Sequence, residues 1–118
     1  MKFQGLMPIL RTHNLQPSVA FYWDRLGFQC TQKTDNWAFV EHHEITLMLA
    51  LPNAHEPFDR PAFTGSFYFN VDDVDGLWRK LKDNSEIVYP IEDFDYGMRE
   101  FAIRDSNGYC LQFGKEIG

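Results

Sequence analysis

Three groups of residues in this chain could do chemistry. His42, His43 and Glu44 stand together, and imidazole nitrogen beside a carboxylate is a donor set for a divalent metal. Neighbouring residues on a strand point to opposite faces, however. The trio also falls between two apolar strand stretches, so it reads as a solvent-facing hairpin tip. Asp72, Asp73 and Asp75 form a second, carboxylate-rich group. Asp73 directly precedes a helical pattern, and a carboxylate there caps the helix and suits its dipole. Arg11, Glu100 and Arg104 are the third group, and they share one strand parity. They could form a buried ion pair or orient a polar ligand. Ser66 has no evident histidine base, which leaves a nucleophilic triad unsupported. His13 precedes a helix cap and His55 lies in a Pro-rich stretch, so both read as solvated. Cys30 and Cys110 lack metal-ligand spacing and read as buried free thiols. No Gly-rich phosphate loop is present.

The elements that must position these residues occur twice. Asn14 to Leu26 and Asp73 to Leu81 are each a polar cap followed by apolar residues at helical spacing, with the caps 59 positions apart. On this reading Val19, Tyr22, Trp23 and Leu26 form the buried stripe of the first helix, which Gly27 ends. Val74, Leu77, Trp78 and Leu81 form that of the second. Each helix follows a strand, Met7 to Thr12 and Ser66 to Val71. After each come three more: Phe28 to Gln32, Trp37 to Glu41 and Ile45 to Leu51, then Ile87 to Tyr89, Glu100 to Arg104 and Tyr109 to Phe113. Glu92 to Gly97 reads as an acidic loop, and Asn107-Gly108 marks a tight turn. The expected fold is α+β, with two pseudo-symmetric βαβββ modules forming a curved sheet around a trough. Module 1 covers about 1–52, a Pro-rich join about 53–65, and module 2 about 66–118, together one domain. Alternation places Leu10 and Phe69 under the helices and leaves the opposite face to line the trough.

Composition bounds the function. The 118 residues are 44% hydrophobic and 16% aromatic, a globular profile. A formal net charge of −6 argues against nucleic-acid partners, which call for excess Lys and Arg, and suits a cationic ligand if the charge serves one. No apolar run reaches membrane-spanning length and no basic-then-apolar leader precedes the chain, so no membrane partner and a cytoplasmic location are expected.

Two stretches carry a family resemblance. PILRTHNLQPSVAFYWDRLGF near the start and YGMREFAIRDSNGYCLQF near the end resemble the glyoxalase/bleomycin-resistance (vicinal oxygen chelate) superfamily. Phe21 to Phe28, Ile45-Thr46-Leu47 and Arg99 to Asp105 look most like its bleomycin-resistance proteins. In metal-dependent members, paired His and Glu residues related by the repeat hold one divalent ion. The resemblance places those positions at Met7, Met48, Ser66 and Gln112. The repeat agrees, since 59 positions separate Met7 from Ser66 and 64 separate Met48 from Gln112. None is a His, Glu, Asp or Cys, so neither metal nor other cofactor is expected.

The resemblance further implies that Trp37, at the trough edge, and Tyr96, in the Asp95-Tyr96-Gly97 loop, occupy the positions of two aromatics. In the bleomycin-resistance proteins these sandwich the flat part of the antibiotic across a subunit boundary. Tyr replaces Trp here, and Met98 lengthens the loop. The implied ligand-binding set is Trp37, Tyr96, Tyr68, Met48, Arg104 and Gln112, with no catalytic residue. The implied function is metal-free sequestration of a bleomycin-type or other flat ligand by a homodimer, without catalysis. The alternative is a glyoxalase-related enzyme, lyase or dioxygenase-like, acting on an unknown small substrate.

Overall fold

A computed structural model describes residues 1–55, 58–63 and 65–118. Within the expected join, Glu56, Pro57 and Thr64 lie outside the described residues. The chain divides into two compact units, Met1–Arg60 and Pro61–Gly118.

The first unit runs β1 (Ile9–Arg11), α1 (Leu15–Leu26), β2 (Gln29–Lys33), β3 (Trp37–His42) and β4 (Ile45–Ala50). Its sheet has the order β1-β4-β3-β2, with β1 parallel to β4 and the other pairs antiparallel. The second unit repeats that plan with β5 (Phe67–Asn70), α2 (Val74–Leu81), β6 (Glu86–Asp93), β7 (Met98–Arg104) and β8 (Cys110–Glu116). Its order is β5-β8-β7-β6, again with the short first strand parallel to the last. The fold is thus α+β, and βαβββ occurs twice. Leu10, Val40, Leu47 and Leu49 are buried in the first unit, and Phe69, Phe101, Ile103, Leu111 and Phe113 in the second. Burial of each such side chain stabilises by about 1.5–3 kcal/mol. Phe113 stacks on both Phe69 and Phe101 at 5.3 Å between ring centres.

The first helix departs from its expected orientation. Its buried stripe is Leu15, Ser18, Tyr22 and Leu26, while Trp23 is 53% exposed. The cause is polar. Asn14 occupies the cap position without a side-chain cap bond. Its N–H instead donates to Thr12 Oγ1 at 3.0 Å, while Ser18 Oγ donates to the Asn14 carbonyl at 2.9 Å. The Thr12 and Ser18 hydroxyls share a further 2.8 Å hydrogen bond. These bonds let both buried hydroxyls be satisfied, and they turn Ser18 inward and Trp23 out. Gly27 ends the helix at φ 77°, a left-handed conformation that glycine adopts without a Cβ penalty. In α2 the Asp73 side chain does cap, accepting from the Gly76 N–H at 3.0 Å. Val74 and Leu81 are buried there, and Trp78 packs on Phe101 at 5.1 Å.

Strand β6 is longer than expected, and two register shifts, at Ile87/Tyr89 and Tyr89/Glu92, break its alternation. Glu92 and Asp93 belong to this strand rather than to a loop, paired with Glu100 and Arg99. The turn is therefore only 94–97, closed by Phe94 N–H to the Met98 carbonyl at 2.8 Å. Both cysteines are free, but each is half-buried rather than buried.

Candidate functional site

The two units present different surfaces on the sheet face away from their helices. In the first, β1, β3 and β4 run side by side, with Ile9 opposite Met48 and Phe39 also opposite Met48. Trp37 lies two residues before Phe39, hence on the same face, with ring centres 4.9 Å apart. A cavity of about 470 Å³ opens here, lined by Ile9, Arg11, Trp37 and Met48 together with Asn36 and Pro52. Arg11 is partly buried, and its guanidinium donates to the Leu51 carbonyl at 3.2 Å. The wall thus combines an indole, a thioether and an aliphatic side chain with one cation.

The second unit holds a hydrogen-bonded chain centred on Glu100, which is 1% exposed. Register sets it up: Tyr68 lies opposite Gln112, Ala102 opposite both Gln112 and Tyr89, and Glu100 opposite Gly114. The Tyr68 hydroxyl donates to Glu100 Oε1 at 2.9 Å, and the Tyr89 hydroxyl donates to Oε2. Gln112 Nε2 donates to the Tyr89 oxygen at 2.8 Å, and Ser66 Oγ donates to Gln112 Oε1. Tyr96, in the 94–97 turn, stacks its ring on Phe94 at 5.4 Å. Burial first, and the hydrogen bond to Glu100 second, push the Tyr68 phenol up to about 12, while desolvation first and the nearby Glu100 carboxyl second push Tyr96 up to about 12. Burial pushes Tyr89 up as well. All three stay neutral donors over the physiological range.

Gly114 makes this possible. A methyl group there would overlap the Tyr68 hydroxyl and come within 3.2 Å of Glu100 Cβ.

Of the residues expected to bind ligand, Trp37 and Met48 share the first unit's cavity. Tyr68 and Gln112 share the Glu100 network, and Tyr96 lies in the turn beside it, stacked on Phe94. Arg104 joins neither. It is exposed and donates to the Gly108 carbonyl of its own hairpin at 3.0 Å. The expected grouping of Glu100 with Arg104 is corrected accordingly, since among the described residues of this unit the groups that bond Glu100 are the Tyr68 and Tyr89 phenols. Arg99, not singled out from the sequence, carries the described ion pairs, to Asp75 at 2.8 Å and Asp93 at 3.0 Å. Its hydrogen bond holds the Asp75 carboxyl below its ordinary range. His42 and His43 flank the β3–β4 turn, with His43 at φ 53°. His13 is exposed, as expected, with its Nε2 3.2 Å from the Asp59 carbonyl and its ring 4.9 Å from Phe58. Tyr89 was missed because its strand bulges, and Asn36 because nothing in its neighbours signals a cavity.

The fold agrees with comparisons to known proteins. Residues 6–113 match the model of the Glyoxalase/Bleomycin resistance protein/Dioxygenase superfamily. The chain belongs to that superfamily. A bleomycin resistance protein of Geobacillus stearothermophilus is 24% identical over 127 residues, covering 94% of this chain and 96% of that one. Among solved structures, the bleomycin-binding protein of bleomycin-producing Streptomyces verticillus, complexed with copper(II)-bleomycin, superposes with a TM-score of 0.73 at 26% identity. It covers 100% of this chain and 98% of its own. Lactoylglutathione lyase of Agrobacterium tumefaciens gives 0.73 at 22% identity, over 95% and 92% of the two chains, a similarity of fold alone.

Metal-dependent members of such a family need imidazole nitrogen or anionic oxygen, and the residues at the corresponding positions do not fit a divalent ion. Met7 and Met48 offer thioethers, while Ser66 and Gln112 offer neutral oxygens already engaged with each other. No group of three or more His, Cys, Asp or Glu side chains placed to hold a metal occurs among the described residues. Among them, too, no helix is long and apolar enough to cross a membrane.

Proposed function

We propose that this protein binds a flat small molecule without catalysing its conversion, and that a bleomycin-type antibiotic is one such ligand. The observation that carries this reading is the half-buried Trp37 on the wall of a cavity of about 470 Å³, beside Ile9, Met48 and Arg11. A cavity of that size suits a small-molecule ligand, and offset stacking on the indole contributes about 1–3 kcal/mol without directional hydrogen bonds. Arg11 adds a positive charge to the wall, so an uncharged or electron-rich ring system is the portion of a ligand that this cavity favours.

Resistance by sequestration fits the relatives, whose names refer to bleomycin resistance and bleomycin binding. As part of the proposal, the protein acts as a homodimer with its ligand at the subunit boundary. The chemistry of the second unit supports binding over turnover. Both Glu100 oxygens already accept phenolic hydrogens, which leaves that carboxyl poorly placed to take a proton from a substrate.

Isothermal titration with metal-free and copper-loaded bleomycin, alongside elemental analysis of the purified protein, tests the reading. Saturable binding of either form by metal-free protein is the expected result. Absence of heat at concentrations on the order of tens of micromolar would remove bleomycin as a ligand. Stoichiometric zinc, nickel or iron would overturn the metal-free part.

A further inference from the structure

The β3–β4 turn carries two adjacent imidazoles, which plain strand alternation would send to opposite faces. Here they meet. His42 ends β3, and His43 stands at φ 53°, a left-handed conformation more open to His, Asn and Asp than to other residues with a Cβ. Alternation stops at that residue, and the two rings lie with their centres 4.3 Å apart and their planes at 42°. The His42 ring is also packed from within the unit. It lies 5.5 Å from the ring of Phe28, which is 4% exposed, and its Cε1 passes close to Gly27 at the end of α1. Both histidines are nonetheless exposed to solvent.

This spacing is close to what one metal ion demands of two imidazoles. With metal–nitrogen distances of about 2.0–2.1 Å, each ring centre lies about 3.2 Å from the ion. Two such rings have centres about 4.5 Å apart at a right angle and about 5.2 Å apart at the tetrahedral angle. The observed 4.3 Å is nearer the right-angle value, the tetragonal geometry that Cu(II) takes with nitrogen and oxygen ligands. The local charge agrees. Glu41 and Glu44 bracket the pair in a chain of net charge −6, which raises the concentration of cations nearby. Glu41 is held at the turn, accepting the Thr46 hydroxyl at 3.1 Å.

We propose that the His42–His43 turn is a surface binding site for Cu(II), with the two imidazoles as neighbouring ligands and water in the remaining positions. Cu(II) stands highest among first-row divalent ions in affinity for nitrogen sites, whereas Mg(II) and Ca(II) take oxygen ligands. The site is separate from the Trp37 cavity and does not rest on that reading. Trp37 begins β3 and His42 ends it, about 17 Å apart at about 3.4 Å per residue. With two protein ligands only, the site gives up its ion to a chelator, so the protein can be freed of metal before a bleomycin titration.

The test is titration of the untagged, chelator-treated full chain with Cu(II) chloride, followed by calorimetry and electron paramagnetic resonance, with Mg(II) chloride in parallel. One Cu(II) per chain is expected, with Kd on the order of micromolar and a tetragonal spectrum showing nitrogen coupling. Mg(II) should give no saturable heat. His43→Asn keeps a residue that tolerates positive φ, and it should weaken Cu(II) binding about tenfold to a hundredfold with an unchanged thermal midpoint. His42→Gln should weaken it by a similar factor. His13→Asn, His55→Asn and the joint replacement of Cys30 and Cys110 by serine should each bind as the wild type does. Absence of saturable binding up to about 1 mM would overturn the proposal. So would unaltered affinity in His43→Asn, a spectrum without nitrogen coupling, or a loss confined to the His13, His55 or cysteine variants.

Discussion

Replacing Gly114 with alanine isolates the packing on which the Glu100 network depends. Gly114 is buried on β8 and is not among the glycines with positive φ, so alanine costs nothing in backbone strain. The whole effect is steric: the added methyl would overlap the Tyr68 hydroxyl and its ring carbon and approach Glu100 Cβ to 3.2 Å. Tyr68 must then withdraw, which takes one donor from a carboxyl that is 1% exposed. Losing that partner costs about 1–3 kcal/mol, and the residual crowding adds about 1–3, so about 2–6 kcal/mol is expected. Urea unfolding of Gly114→Ala measures the total. A double-mutant cycle with Tyr68→Ala apportions it. With the ring gone, the methyl has room, and Gly114→Ala should cost less than about 1 kcal/mol in that background. An equal cost in both backgrounds would refute the claim that glycine is there to admit Tyr68, as would a cost below about 0.5 kcal/mol in the wild type.

Three further expectations follow from the same geometry. Ultraviolet titration should show Tyr68 and Tyr96 ionising near 12, above the ordinary phenol value. Because folding favours their protonated forms, that stabilisation is complete below about pH 10, the unfolded value, and is lost as pH rises through about 12. Asp75 has the opposite sign. Its carboxyl is lowered by Arg99, so the stability it adds is present above its unfolded value of about 4 and lost as pH falls below it. Arg99→Ala should flatten that acid limb in pH-dependent unfolding. On α1, Tyr22→Ala should cost about 3–5 kcal/mol, while Trp23→Gln should stay within about 0.5 kcal/mol, since Tyr22 is 0% and Trp23 53% exposed. Comparable losses from the two would contradict the helix orientation.

The repeat made the fold legible, because two polar caps, two apolar stripes and two runs of alternating strands lie in the same order in each half. The second helix was largely readable, since Asp73 caps it and Val74 and Leu81 of its expected stripe are buried, with Leu77 and Trp78 half-buried. The first was not, because a buried Ser18 carries no apolar signal and Tyr22 and Trp23 are equally aromatic neighbours. The hydroxyl pairing of Thr12 with Ser18 and the packing of Tyr22 on Phe28 go with the inward choice of Tyr22. The Glu100 network was partly visible, as Tyr68, Gln112 and Glu100 each drew notice for other reasons. What joins them is Tyr89, brought to their face by bulges around Pro90 that period-two counting cannot follow. Arg104 shared the right parity with Glu100 but lies at the strand's end, where its own hairpin carbonyl is nearer.

The central claim, that Trp37 forms the wall of a ligand cavity rather than packing a strand edge, is tested most directly by calorimetric titration of metal-free bleomycin into wild type and Trp37→Ala. The account predicts saturable binding to the wild type and a loss of about 1–3 kcal/mol in the variant, roughly five- to 150-fold in affinity. Binding of unchanged affinity in the variant would contradict it.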